Sequence, residues 1–332
     1  MLVRSRAPFR ISFGGGGSDV PPYCWENGGA VLNVTVNRYA YASLALGGEK
    51  IIISSVDMNR ELVYSVSRLP YDGQLDLIKA VANQFKLDKG FKVETFSEIQ
   101  AGSGMGTSSS LAVSLISAFS EALGLRMKKY DIAMLAYNVE RVELGQLGGY
   151  QDQFAAAYGG LNLMEFFKEG VKVTPLVLKD EVFEELQYRT LLLFTGKAHF
   201  SHEIHADMKK KYEEEKEKEK RIRDELKRIA YELYRALQNE DLDYFGQLIN
   251  ENWEFKKKMS EKISDQDIDR AYDALIKAGG RGGKIQGAGG GGFILMFTKK
   301  DKRGEVIKEA LKMNLEPLSF RFEKEGVKVW KI

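Results

Sequence analysis

The chain has 332 residues, 44% of them hydrophobic and 29% charged, enough for a core in each of two ordinary domains and too apolar for global disorder. Its 49 Lys+Arg and 47 Asp+Glu leave a net charge of +2, without the basic excess that phosphate contacts demand of a nucleic-acid binder. Cys24 is the sole cysteine, which excludes an intrachain disulfide and a thiolate-rich metal site. The N-terminal segment MLVRSRAPFRISF has no signal-peptide apolar core, and no stretch reaches the ~18 uninterrupted apolar residues of a membrane span, so a soluble, cytoplasmic protein is expected.

Strand character dominates the first hundred residues. Ala30–Leu46 is β-branched and aromatic with rough alternation, and Lys50–Ser55 and Glu61–Val66 follow in the same style. From Thr107 the apolar spacing changes: Leu111, Leu115, Ile116, Phe119 and Leu123 predict a helix to about Gly124. Ile132, Leu135, Val139 and Val142 predict a second, with Asp131 as its N-cap. Strands are expected again at Leu161–Phe167 and Val171–Leu178, then a boundary near Asp180–Gln187 before the apolar run Thr190–Thr195. The segment Met208–Arg228 is almost wholly Lys, Glu and Arg and reads as a solvated helix laced with i,i+4 pairs; its alternating signs make a poor phosphate track. It leads into an amphipathic stretch at Ile229–Leu237. A strand at Phe293–Phe297 and a helix–strand ending close the chain, and no internal repeat is present.

Glycine, 33 residues in all, is bunched in three segments: Pro8–Asp19 (PFRISFGGGGSD), Gly102–Leu111 (GSGMGTSSSL) and Lys284–Phe293 (KIQGAGGGGF). In the middle segment three glycines alternate with small residues ahead of a helix start. Backbone N–H groups turned toward one point, together with the positive end of the helix dipole, make a phosphate cradle; a Ser/Thr-capped glycine turn is the simpler alternative. No GxxxxGK[ST] motif occurs. Gly287–Gly292 matches GxGxxG but leads into a strand, which makes the match accidental. Glu140 and Glu143, spaced i,i+3, should project from similar faces of the second helix. Asp152 is framed by Gly148-Gly149 and Gly159-Gly160 and is either a confined acid or a helix cap. Phosphoryl transfer requires a phosphate cradle, a hydroxyl and a carboxylate on Mg²⁺, a cation and a base, and Ser108, Glu140, Arg10 and Asp152 are candidates for those parts.

The three glycine segments, in this order and over essentially the full length, resemble the signature motifs of the GHMP small-molecule kinases. NVERVELGQLGGYQDQFAAAYGGLNLMEF and the ending FEKEGVKVWKI are similar to the heptose 7-phosphate kinase branch. The resemblance implies an α+β fold of two lobes. Residues 1–180 would form the N-terminal lobe, similar to the second domain of ribosomal protein S5 and carrying the ATP phosphate loop; residues 181–332 would form a ferredoxin-like C-terminal lobe. It implies ATP and Mg²⁺ as cofactors and a small-molecule sugar or sugar phosphate as substrate, with neither nucleic acid nor membrane as partner; the oligomeric state stays open. Site roles follow from the same resemblance. Gly102, Ser103, Gly104, Met105, Gly106, Thr107 and Ser108 would hold the ATP phosphates, and Ser108 and Glu140 the metal. Asp152 would be the catalytic base, with Arg10 as the catalytic cation. Gly16, Gly17, Ser18, Asp19, Gln151, Gly287, Ala288, Gly289 and Gly290 would bind substrate.

Two stretches depart from the family pattern. Ile99-Gln100-Ala101 and Met105 replace the usual proline and leucine of the second motif, with the backbone geometry still attainable. In Thr195–Ser201 the arginine found in heptose-kinase relatives is absent, and Lys197 and His199 stand nearby; Lys197, Arg281 and Lys284 are the candidate cations for a sugar phosphate. His199, His202 and His205 are spaced so that the third points away from the first, and a polar surface or substrate-edge role is expected rather than a metal site. The expected reaction is ATP-dependent phosphorylation of an anomeric hydroxyl, with D-glycero-D-manno-heptose 7-phosphate going to the 1,7-bisphosphate. The alternatives are a mevalonate-pathway kinase or decarboxylase, a galactokinase- or fucokinase-like sugar kinase, and a non-catalytic sugar sensor.

Overall fold

The computed structural model describes residues 1–65, 68–197 and 201–332. Its strands are Leu2–Gly14 (β1), Gly29–Leu46 (β2), Lys50–Ser55 (β3), Arg60–Ser65 (β4), Phe91–Ser97 (β5), Leu161–Phe167 (β6), Gly170–Pro175 (β7), Thr190–Phe194 (β8), Gly280–Ile285 (β9), Phe293–Thr298 (β10), Glu316–Pro317 (β11), Phe322–Glu323 (β12) and Lys328–Lys331 (β13). The long β2 is central to the first sheet: it pairs antiparallel with β1, β5, β6 and β12. Covered on both faces, its first eight residues are all buried, which is why Ala30–Val36 reads as a near-continuous apolar run with only a few polar interruptions. β8, β9, β10 and β11 form the second sheet in the order β11-β8-β10-β9. The C-terminal strands β12 and β13 return to the first sheet, where β13 pairs with β1.

The helix at Thr107–Ala122 packs an apolar and serine-rich face on β1 and β2. Ser110 Oγ donates to the Pro8 carbonyl at 2.8 Å and Ser114 meets Ser5, so the buried hydroxyls are satisfied inside the contact. Opposite, the helices at Lys216–Gln238 and Leu242–Lys257 cover the other face of the first sheet and link it to the second through a shared apolar layer.

Several expectations change. The second helix is α-helical over Lys129–Tyr137 and continues as a π-helix over Asn138–Glu143. Asp131 lies within the first turn rather than capping it; Lys128 occupies the N-cap. The wider π-turn breaks the 3.6-residue periodicity, so Val142 is exposed while Val139 is buried. Val171–Leu178 stops as a strand at Pro175, and the segment expected to hold the boundary is a helix, Asp180–Arg189. Val66, at the end of one expected strand, lies outside the described residues.

The charge run is not wholly solvated. It divides at Glu215 into helices Ser201–Glu214 and Lys216–Gln238. Glu219 and Arg223, one helical turn apart, form a buried ion pair, and Asp224 accepts from the Tyr23 hydroxyl at 2.6 Å. Removing one partner of a buried pair strands the other charge. Arg223→Ala should therefore lower unfolding free energy by about 3–5 kcal/mol, checked by urea denaturation; a loss no larger than that of an exposed charge would contradict it.

Among the described residues, no helix is long and apolar enough to cross a membrane.

Candidate active site

The three glycine segments converge on one cleft. The loop after β5 takes positive φ at Gly102, Gly104 and Gly106 and then enters the helix at Thr107. Gly104 touches the third segment: a Cβ there would meet the Gln286 carbonyl oxygen at 2.4 Å. Only glycine permits both that φ of 80° and that contact, so the phosphate-loop candidate and the β9–β10 turn pack backbone on backbone. Gly287–Gly292 joins antiparallel strands, so its GxGxxG spacing belongs to a turn and not to a dinucleotide-binding helix start.

Asp152 lies in the first turn of the helix Gln151–Tyr158 and does not cap it. Arg10, 3% exposed, donates from Nε to Asp152 Oδ1 at 2.7 Å, with Nη2 in ion-pair contact with the same oxygen at 2.6 Å; its Nη1 donates to the Gly104 carbonyl at 2.6 Å. The guanidinium thus ties the first glycine segment to the second and holds one carboxylate oxygen. Oδ2 has no protein donor among the described residues, on a side chain 20% exposed to the cleft.

Glu140 is buried on the π-helix and accepts from Ser108 Oγ and Ser109 Oγ at 2.7 Å each, and from Gln153 Nε2 at 2.6 Å. Ser109 and Gln153 carried no sequence signal of their own. Glu143 faces elsewhere, against the Tyr71 hydroxyl and the Gln84 amide, because the wider π-turn leaves i+3 further short of a full turn than an α-turn would. The shared face expected for Glu140 and Glu143 does not form.

Asp19 is 1% exposed; its Oδ1 accepts from the Gly17 amide at 3.0 Å and its Oδ2 from the Gln151 amide at 3.2 Å. Of the residues expected to bind phosphate or substrate, Gly102, Gly104, Gly106, Thr107, Ser108, Gly17, Asp19, Gln151, Gly287, Ala288 and Gly289 line the cleft. Met105, Ser103, Gly16, Ser18 and Gly290 do not. The Met105 side chain is buried in the apolar layer, and its carbonyl accepts from the Arg10 amide. Ser18 Oγ is spent on the Gly15 and Ala30 carbonyls, which brace the turn. Ser103 is buried with its Oγ unpartnered. Gly16 packs by its backbone near Gln151, and the Gly290 amide is bonded to Ile263.

The anticipated sugar-phosphate cations fall away from the cleft. Lys197 pairs with Asp267 on the surface, Arg281 donates to the Asp243 carbonyl, and Lys284 is buried with its ammonium on the Ser12 carbonyl. Arg141, His205 and Lys256 line it instead. His202 is exposed, His205 faces the cleft, and His199 lies outside the described residues. Among the described residues no cluster of three or more His, Cys, Asp or Glu could hold a metal.

Burial sets the protonation of these cations. It pushes Lys284 well below its ordinary value, aided by the positive charges of Lys256 and Arg10. His205 is held down by desolvation and then by Lys256 and Arg141. Lys256, 4% exposed, is pushed down by burial, against an opposing pull from Asp19, to about 8. The unfolded chain, with a lysine near 10.5, then binds more protons than the folded one between about pH 8 and 10.5, so stability rises with pH across that window. Measured by denaturation, the wild type should gain on the order of 3 kcal/mol relative to Lys256→Met over this range; parallel curves would contradict it.

Comparison with known proteins defines the class first. The model of the GHMP kinases N terminal domain matches residues 75–160 and that of the GHMP kinases C terminal domain matches residues 233–316. The chain belongs to the GHMP kinases: it has their two-lobed α+β fold, is a phosphotransferase, and uses ATP as that membership implies. Among individual proteins, it is 38% identical to the D-glycero-alpha-D-manno-heptose 7-phosphate kinase of Campylobacter jejuni, with 99% of each chain covered. It is similar to the crystal structure of a D-glycero-D-manno-heptose 1-phosphate kinase from Bacteroides thetaiotaomicron, with TM-score 0.83, 35% identity and 99% of each chain covered. A galactokinase from Thermotoga neapolitana is 26% identical, with 93% of each chain covered.

Proposed function

We propose that this protein transfers the γ-phosphoryl group of ATP to the anomeric hydroxyl of D-glycero-D-manno-heptose 7-phosphate, giving the 1,7-bisphosphate and ADP. The observation that carries the reading is the Arg10–Asp152 pair beside the glycine loop: one carboxylate oxygen is held by the guanidinium and the other is free in the cleft. Two relatives at 35% identity or more bear the names of phosphorylated-heptose kinases, although the names differ in the position of the phosphate. The galactokinase likeness is more distant.

In this reading Asp152 Oδ2 takes the proton of the sugar hydroxyl as its oxygen bonds to the γ-phosphorus, and the bond from that phosphorus to the β–γ bridging oxygen breaks to release ADP. The amides of Gly102–Ser108 and the dipole of the helix at Thr107 hold the phosphate chain. Arg10 fixes the base and adds positive charge near the transferring group. Asp19, already oriented by two amides, would accept from sugar hydroxyls. Ser108 and Glu140 offer a hydroxyl and a carboxylate side by side, oxygen donors that suit a hard cation and would hold Mg²⁺. When bound, that ion neutralises charge on the β- and γ-phosphates. Residues 1–180 would form the ATP-bearing lobe and 181–332 the second lobe, the last strands crossing back to brace the first sheet. An intact base, cation, hydroxyl and acid speak against a sugar sensor without activity.

The test is ATP turnover against the heptose, mannose, fucose, galactose and mevalonate, each with and without a terminal phosphate where available. The heptose 7-phosphate should give the highest kcat/KM; a higher value for mevalonate or for an unphosphorylated sugar would refute the assignment.

A further inference from the structure

Next to the cleft a second cavity opens between the Gln146–Gly148 loop, the turn at Pro21–Tyr23 and the helix Ser201–Glu214. Gly17, Val20, Arg141, Leu147, Gly148 and His205 line both, so the two spaces share a wall. Much of the second wall is apolar, with Pro22, Tyr137, Met208 and Met259 facing in. Arg141 stands at the junction without an ion pair or hydrogen bond among the described residues, and its Nε is buried with no partner. The chain passes close over its guanidinium: at Gly148, with φ of 155°, a Cβ would lie 2.8 Å from Arg141 Cζ.

Other charges on this wall are matched internally. Arg223 is neutralised by Glu219, and Lys209 faces Glu213 at 4.0 Å. Among the described residues Lys256 makes one hydrogen bond, to the Gly16 carbonyl at 3.4 Å, and no ion pair, and Asp19 is the acid that opposes its charge. An unpaired guanidinium against apolar walls is costly unless an anion arrives to meet it. A planar fork of donors suits a phosphate monoester, which can accept two of its N–H groups at once.

We propose that Arg141, supported by His205 and Lys256 on the same cleft, forms the subsite for the distal phosphate of the sugar, while Asp152 faces the hydroxyl that reacts. The inference rests on the sugar-phosphate reading above and supplies the cation that the segment after Thr195 does not. Arg141 is adjacent in sequence to the metal-site candidate Glu140, and both line the cleft, but only Arg141 also lines the second cavity.

The experiment compares kcat/KM for heptose 7-phosphate with that for the unphosphorylated heptose in wild type, Arg141→Gln and Arg141→Lys, alongside equilibrium binding of heptose 7-phosphate to each. Wild type should favour the phosphorylated sugar by tenfold or more. Arg141→Gln should cut that preference by about 10- to 150-fold, the range for a charge-assisted hydrogen bond of about 1.5–3 kcal/mol, and weaken binding in parallel. Arg141→Lys should recover part of it. A wild-type preference that survives Arg141→Gln, or unchanged binding in that variant, overturns the inference alone. The absence of any preference in wild type overturns both the inference and the heptose-phosphate assignment, and leaves the kinase assignment standing.

Discussion

Asp152→Asn is expected to lower turnover by about 10²- to 10⁴-fold, the usual cost of losing general-base help, while ATP affinity changes little. Asparagine keeps the size of the side chain and can still present an oxygen to Arg10, which donates to Oδ1 through Nε. What disappears is the proton acceptor at Oδ2, the atom left free in the cleft. The measurement is steady-state kcat together with ATP binding at equilibrium. Near wild-type turnover would mean that positioning and charge alone suffice, which a loose, metaphosphate-like transition state makes chemically reasonable. Asp152 would then be reassigned as an anchor for Arg10.

Glu140→Gln should raise the Mg²⁺ concentration needed for half-maximal activity and lower kcat on the order of a hundredfold, because a bound metal supplies several kcal/mol of charge stabilisation. The substitution also places an amide donor among three donors, from Ser108, Ser109 and Gln153, so some loss of thermal stability should accompany it. Glu143→Gln is the control. Glu143 touches Tyr71 and Gln84 and neither Ser108 nor Ser109, so its Mg²⁺ titration should match that of the wild type. Equal shifts in the two variants would show that the carboxylate had been misassigned.

The chemistry was more legible than its surroundings. Each glycine segment announces itself within about ten residues, because a tight left-handed turn depends mainly on local sequence. Asp152 and Arg10 were nameable for the same reason, each lying beside such a turn. Motif membership says nothing about which way a side chain points: that of Met105 fills an apolar layer and that of Ser18 braces a turn. The Glu219–Arg223 pair hid inside a charge run whose composition looks uniformly solvated, yet one face of that helix packs inward.

Arg141, Lys256 and His205 could not have been assembled from the chain alone. They come from a π-turn, the end of the helix Leu242–Lys257 and the helix Ser201–Glu214, and Lys256 is more than a hundred residues away from Arg141. The sequence by itself determined the three glycine-rich turns, which depend on conformational preferences over a few neighbouring residues, and through their resemblance to a family's motifs it implied the α+β class and named Asp152, Arg10 and Ser108 as candidates. Which side chains face the cleft, which carboxylate joins the phosphate loop and where unpaired positive charge collects were decided only by tertiary packing. Burial and desolvation are properties of surfaces brought together from distant segments, and no local pattern encodes them.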